Sequence, residues 1–432
     1  MLRSMSAETS LHPPAASDAA VVSAAVTQRL MSVDALRGFD MFWIIGADAL
    51  VYALDKMSRG PDGQPHGVFG FLAYELDHAD WAGFHFYDLI FPLFVFIVGV
   101  SLVFSLGKTI RQEGRAGAVK RIIRRTVLML VIALFYSGGF ANNWPGIRLM
   151  GVLNRIALCY GFAGLIFCFC NLRQMIAICA SLLVGYWALM TFIPIRDIQL
   201  EESSLKQLAQ QRGIPFDANA PKALFYGTTN YVTGHFEHGF DLCDQIDFQY
   251  LPGRKYDTYF DPEGFLSTLP AVGTCLLGVF AGLLLLNASL RDTQKVILLL
   301  MAGFIMVSLG WAWSVQFPVV KKIWTSSFVL VAGGYSALLL GAFYWIIDVA
   351  KWQWWCQPFV WMGMNSITIY LTKNFLGGSF SGLSKRLVGG DIRDFLESHC
   401  RGGGDLAMAI VGLALAFWFV HFLYRRKIFL RL

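Results

Sequence analysis

Ten stretches of this chain are each long and apolar enough to cross a lipid bilayer, and nothing else in it limits the possible folds so severely. A hydrocarbon core of ~30 Å is crossed by about 20 helical residues. Runs of that size fall at roughly 35–54, 86–106, 121–138, 150–170, 174–194, 264–286, 294–314, 326–348, 357–378 and 404–424. They are continuous rather than alternating and rich in Leu, Ile, Phe and Val, which predicts helices and not the strands of an outer-membrane barrel. With 56% hydrophobic and 15% charged residues, the chain is too apolar for a soluble domain of 432 residues. The expected fold class is therefore an all-α polytopic membrane protein. It would be a bundle of about ten transmembrane helices with two extracytoplasmic loops over the site.

Loop charge predicts the orientation. Lys108, Arg111, Arg115, Lys120, Arg121, Arg124 and Arg125 stand between the second and third runs against Glu113 alone, which marks that loop as cytoplasmic. Alternation then places both termini in the cytoplasm and predicts a multi-pass protein of a bacterial inner membrane. Arg425, Arg426, Lys427 and Arg431 agree; Lys321 and Lys322 are the one basic spot on the wrong side. The net charge of +6 follows this topology, with the densest cluster where anionic headgroups of the bilayer are expected. No nucleic-acid partner is expected.

Residues 1–30, rich in Ala and Ser, read as a flexible cytoplasmic tail rather than a signal peptide. The transmembrane domain is expected over 31–432. Its outer loops lie at about 55–85, with a turn region from Gly60 to Gly67, and at about 195–262, long enough to be an ordered unit. Of the eight cysteines, Cys243 and Cys400 fall on the outer side, where an oxidising compartment would let them pair. There is no Walker loop, dinucleotide glycine fingerprint or Cys and His metal cluster, so no metal is expected.

An ionisable side chain inside a membrane helix costs several kcal/mol unless it is paired or wetted, so each one is a functional candidate. Asp34 and Arg37 read as an ion pair anchoring the first helix. Asp48 stands near that helix's outer end with no basic partner in the same helix, and His78, just before the second helix, is its expected partner. A carboxylate against an imidazole fixes the tautomer and suits a general base. His85, His235 and His238 compete for that role. Farther on, Asn154 and Arg155 stand inside the fourth helix, while Ser366, Tyr370, Lys373 and Asn374 form one stripe of the ninth. Such a stripe is either the wall of a polar cavity or helix-to-helix glue.

Several stretches, in order, carry a family resemblance: SVDALRGFDMFWI, HADWAGFHFYDLIFPLFVFIVGVS, GVLNRIA, FDPEGFLSTLPAVGTCLLGVFAG, PVVKKIWTSSFVL and GMNSITIYL. Together they resemble the heparan-alpha-glucosaminide N-acetyltransferase family and its bacterial relatives. The resemblance implies transfer of an acetyl group from cytosolic acetyl-CoA to a glucosamine amine across the membrane, with an active-site histidine in the first outer loop, here His78. The family's asparagine late in the first helix falls on Asp48, which adds a negative charge able to stabilise an imidazolium. The 195–262 loop does not match a glycosaminoglycan-recognition segment, so the expected acceptor is a cell-envelope or scavenged amino sugar. A homodimer would suit the resemblance.

The expected catalytic residues are thus His78 and Asp48. Acetyl-CoA, as acyl donor, would have its phosphates met by Arg124, Arg125 and Arg155, and Asn365, Ser366 and Tyr370 would line its path and polarise the thioester. The rival reading is a transporter or flippase for a polar sugar or lipid, which ten helices with internal polar residues would also fit; no repeat between the two halves favours it.

Overall fold

A glycine that no other residue replaces cheaply sets the plan of the first half. The computed structural model describes residues 30–59, 67–141, 143–375 and 379–430, without the side chains of 373–375 and 379. Its longest element runs from Phe86 to Tyr136, 51 residues that would extend about 77 Å if straight, more than twice a hydrocarbon core. It is not straight. Gly114 sits at φ 74°, a left-handed backbone that costs an L side chain roughly 1–2 kcal/mol. Arg121 Nη1 consequently donates to Thr109 Oγ1 at 2.8 Å, although twelve residues of straight helix would part them by about 18 Å. The element is a hairpin whose two arms are the second and third expected spans.

Two other spans are broken helices. The first comprises α1 (Met31–Phe42) and α2 (Asp48–Ser58), joined by a widened π turn, Trp43–Ala47, in which Gly46 takes φ 125°. After α3 (Gly67–Glu75) and the hairpin α4 (Phe86–Tyr136) come α5 (Val152–Phe169) and α6 (Leu172–Phe192). Beyond the segment 195–262 follow α10 (Thr268–Leu286), α11 (Asp292–Trp313) and α12 (Ser326–Phe343). The second broken span is α13 (Gln357–Met364) and α14 (Ser366–Phe375), parted at Asn365. The short α15 (Ser379–Val388) and α16 (Asp391–His399) lead to α17 (Gly403–Arg425). Among the described residues seven helices are long and apolar enough to cross a membrane. Counting the hairpin arms separately and adding the two broken helices, each of the ten expected segments lies mostly on helix over its described residues.

The broken helices pack on one another through small residues, as membrane helices do when backbones must approach closely. A Cβ on Gly38 would land 1.7 Å from the Phe359 carbonyl oxygen, and one on Gly363 1.8 Å from that of Asp34. This contact lets Arg37 Nη1 donate to the Gly363 carbonyl at 3.3 Å as well as pair with Asp34, so the expected anchor also ties the two broken spans together.

The segment 195–262 is an ordered unit. Strands β1 (Ile195–Arg196) and β2 (Tyr231–Val232) pair antiparallel, Ile195 opposite Val232, and α7 (Glu202–Gln211), α8 (Ala220–Tyr226) and α9 (Leu242–Tyr250) fold around a core that includes Leu205, Leu224, Phe225 and Phe260. Asp241 caps α9 through the Asp244 N–H at 3.0 Å. Asp247 accepts from the Phe265 N–H at 3.1 Å and so clips the unit to the approach to α10. Burial pushes its carboxyl up to about 7.

Two expectations change here. Cys243 and Cys400 do not pair: Cys243 is buried with its sulfur 3.0 Å from the Tyr186 hydroxyl, whereas Cys400 is exposed just past the end of α16, and both are free. The tail expected over 1–30 lies outside the described residues apart from Leu30, as does the 60–67 turn region apart from Gly67.

Candidate active site

Asp88 owes its position to a helix end. It occupies the third residue of α4, where an acid completes the cap by accepting the His85 N–H, at 3.1 Å, and meets the positive end of the helix dipole. The same carboxylate, 1% exposed, accepts from the Ala79 N–H at 3.2 Å and from His78 Nδ1 at 2.8 Å. Lys321 closes a triangle, its Nζ 3.2 Å from Asp88 Oδ1 and 3.0 Å from His78 Nδ1. It is delivered by backbone pairing: Ala82 bridges Val320, and the Gly83 N–H donates to the Val319 carbonyl at 2.9 Å. With Nδ1–H given to Asp88, the imidazole turns its Nε2 lone pair towards the Lys321 ammonium, 3.4 Å away. Burial pushes the Lys321 ammonium below the usual lysine range, and Asp88 and Glu263 oppose that shift.

The partner expected for His78 is therefore corrected. Asp48 accepts instead from the Tyr87 hydroxyl at 3.4 Å, and Tyr87 lies with its ring centroid 5.0 Å from that of His78. The π turn ahead of Asp48 breaks the register that straight-helix geometry assumed. Asp88 and Lys321 went unread as functional residues, yet each left a signal. Asp88 is an acid in the first turn of an apolar span, and Lys321 belongs to the one basic spot at odds with the orientation expected from loop charge.

His78 stands at one end of a cavity of 710 Å³ that follows the hairpin. Tyr87, Lys321, Arg148 and Glu263 line that end; Phe91, Phe94 and Val98 line the middle; Ser105, Arg121 and Arg125 line the other end. From Tyr87 to Ser105 the helix climbs about 27 Å, close to the thickness of a hydrocarbon core. A chamber with Arg121 and Arg125 at one end, the imidazole held by Asp88 at the other and apolar walls between them suits a long ligand with an anionic head and a reactive tip.

Sequence comparison supplies an independent observation. No family model matches the chain. It is 26% identical over 382 residues to the heparan-alpha-glucosaminide N-acetyltransferase of Mus musculus and 27% identical over 394 residues to that of Homo sapiens. Each match covers 82% of this chain but only 56% and 55% of the relative, so the chain spans about half the length of the curated relatives it matches. It is a relative of the heparan-alpha-glucosaminide N-acetyltransferases.

Set against that kinship with the heparan-alpha-glucosaminide N-acetyltransferases, the residues expected to hold the donor divide. Arg125 lines the cavity, its guanidinium 4.7 Å from the Tyr160 ring centroid. Arg124, turned by about 100° on the helix, lines a separate apolar groove with Arg115 and Lys120, which corrects its assignment to the donor path. Arg155 is also corrected. It is fully buried, not a cavity-lining residue, with its guanidinium 4.9 Å from the Trp324 ring centroid and Nη2 donating to the Pro262 carbonyl at 2.9 Å and to Ser267 Oγ. It fastens α5 to the approach to α10. Arg121, one turn before Arg125, and Arg37 line the cavity in their place. Asn365, Ser366 and Tyr370 all line it. Asn365 donates to the Trp361 carbonyl at 3.2 Å and leaves a buried Oδ1 without a partner among the described residues, while Tyr370 stacks on Tyr136 with centroids 5.1 Å apart. The stripe of the ninth span is thus cavity wall as far as Tyr370; the side chains of Lys373 and Asn374 lie outside the described residues.

Proposed function

We propose that this protein is a membrane-embedded acyltransferase that moves an acetyl group from acetyl-CoA to the amine of an amino sugar on the other side of the bilayer. The observation that carries the reading is a cavity joining Arg121 and Arg125 to His78, whose imidazole Asp88 holds from behind. The kinship with proteins named N-acetyltransferases supports the same chemistry. The basic hairpin turn supports an orientation with the Arg121 end in the cytoplasm of a bacterial cell, in which acetyl-CoA enters there and the amine arrives at the His78 end.

The anionic part of acetyl-CoA meets Arg37, Arg121 and Arg125, and its thioester arm threads the apolar middle of the chamber. At His78 the amine nitrogen attacks the thioester carbonyl. The N–C bond forms, the C–S bond breaks, His78 Nε2 takes the proton shed by the amine, and that proton leaves with the coenzyme A thiol. Asp88 is the positioning residue that holds the imidazole. The Lys321 ammonium and the Tyr370 hydroxyl are the donors placed to stabilise charge developing on the carbonyl oxygen.

Purified protein incubated with labelled acetyl-CoA and glucosamine, wild type beside His78→Ala, tests this. Acetylated amine made by the wild type alone is the expected result. Turnover retained by His78→Ala removes that residue from the mechanism. Failure of the wild type to bind acyl-CoA transfers the weight to transport of a polar sugar or lipid, a reading the two broken helices would also fit.

A further inference from the structure

The second arm of the α4 hairpin carries cations on two faces, and only one face belongs to the cavity. Arg121 and Arg125 line that cavity. Arg115, Lys120 and Arg124 instead border a separate recess of 770 Å³, whose apolar wall is Val119, Ile123 and, from the end of α5, Phe169. Its volume falls among those of small-ligand sites, roughly 300–1,000 Å³. Among the described residues no carboxylate pairs with Arg115, Lys120 or Arg124. Glu113, the one acid of the hairpin turn, folds back over Gly117, where an added Cβ would meet its carboxylate oxygen at 2.9 Å. Three like charges gathered on so short a stretch of helix repel one another until an anion sits among them.

The recess opens onto an apolar stripe. Continuing from Lys120 and Arg124 in helical steps, the same face of the arm carries Leu128, Val131 and Phe135, all exposed. From Arg124 to Phe135 the helix climbs about 17 Å, close to the ~15 Å of one leaflet in a ~30 Å hydrocarbon core. A soluble anion would use the cations and leave the stripe bare, whereas a phospholipid has a phosphate for the one and an acyl chain for the other. We propose that this face binds an anionic phospholipid, with its phosphate among Arg115, Lys120 and Arg124 and an acyl chain lying along Ile123, Leu128, Val131 and Phe135. The planar guanidinium groups match phosphate oxygens in pairs, and Lys120 adds a point charge. A zwitterionic lipid would bring its own ammonium into a cluster that is already cationic, so the site selects phosphatidylglycerol over phosphatidylcholine. Nothing in it depends on acetyl transfer, since the recess and the cavity are separate.

Native mass spectrometry of the full chain in detergent, titrated with phosphatidylglycerol or with phosphatidylcholine of the same acyl chains, tests the site. Two double variants remove equal charge: Arg115→Gln with Arg124→Gln in the recess, and Lys108→Gln with Arg111→Gln, both exposed, on the other arm of the hairpin. Wild type is expected to bind phosphatidylglycerol about tenfold more tightly than phosphatidylcholine. The recess variant should lose about thirtyfold, roughly fivefold per cation, and the other variant should stay within about twofold of wild type. Lys120→Gln alone, expected to bind about fivefold more weakly, repeats the test if the double variant does not elute as a folded species. Equal losses in the two double variants would mean a general surface field and overturn the site, as would equal binding of the two lipids or no binding at all. Displacement of the lipid by glycerol 3-phosphate or coenzyme A overturns it too, because the recess would then hold a soluble phosphate. So does a wild-type dimer that takes up lipid only once dissociated, since the face would then belong to a second copy of the chain.

Discussion

Replacing Asp88 with Asn keeps the size of the side chain and removes its charge, which isolates what the carboxylate does for His78. In the wild type the Nδ1–Oδ1 contact of 2.8 Å is a charge-assisted hydrogen bond to a carboxylate 1% exposed. Bonds of that kind contribute about 1.5–3 kcal/mol. If that free energy is expressed only when His78 carries positive charge in the transition state, its loss lowers kcat by about 10- to 150-fold. Asn also presents an amide N–H that can face Nδ1 and favour the wrong tautomer, so the upper part of that range is expected. KM for acetyl-CoA should hardly move, because Arg121 and Arg125 are at the far end of the cavity. The assay is initial rate of acetyl transfer to glucosamine in detergent, normalised to folded protein by size exclusion. The normalisation matters because Lys321 loses its partner and some stability goes with it. Wild-type kcat in correctly folded Asp88→Asn would refute the reasoning and return the orienting role to Asp48.

Two further outcomes follow from the geometry. Arg121→Gln and Arg125→Gln should each raise KM for acetyl-CoA by about tenfold and leave glucosamine KM unchanged, whereas Arg124→Gln, which lies in the separate groove, should match wild type; an Arg124 effect as large as that of Arg125 would contradict the assignment. Asp247, whose folded carboxyl titrates at about 7 instead of 3.8, holds a proton in the folded state that the unfolded chain has already released between those values. Its contribution to stability is present below pH ~4 and is lost as the pH rises towards 7, by up to about 4 kcal/mol. Thermal unfolding followed from pH 4.5 to 8 should therefore show a decline that flattens in Asp247→Asn, and equal slopes in the two proteins would count against it.

Crossing a bilayer is a local property, decided by the length and polarity of each run, and for that reason the apolar runs, their helical character and the ordered segment 195–262 could all be read from the chain alone. Polar residues of unusual placement were legible for the same reason: His78, Asp48, Arg125, Asn365, Ser366 and Tyr370 stood out against apolar neighbours, and all but Asp48 line the cavity. Partnership is not local. Asp88 reaches His78 because a capped helix end turns its carboxylate back over ten residues, and Lys321 reaches both because a backbone bridge brings in a segment 243 residues from His78. Straight-helix geometry could not anticipate the π turn at Gly46 that carries Asp48 to Tyr87, nor could charge alone tell Arg125, which faces the cavity, from Arg124, which faces away. Hydropathy is summed along the chain and survives ignorance of the fold; which side chains share a cavity depends on helix rotation and long-range pairing, and those exist only once the helices have packed.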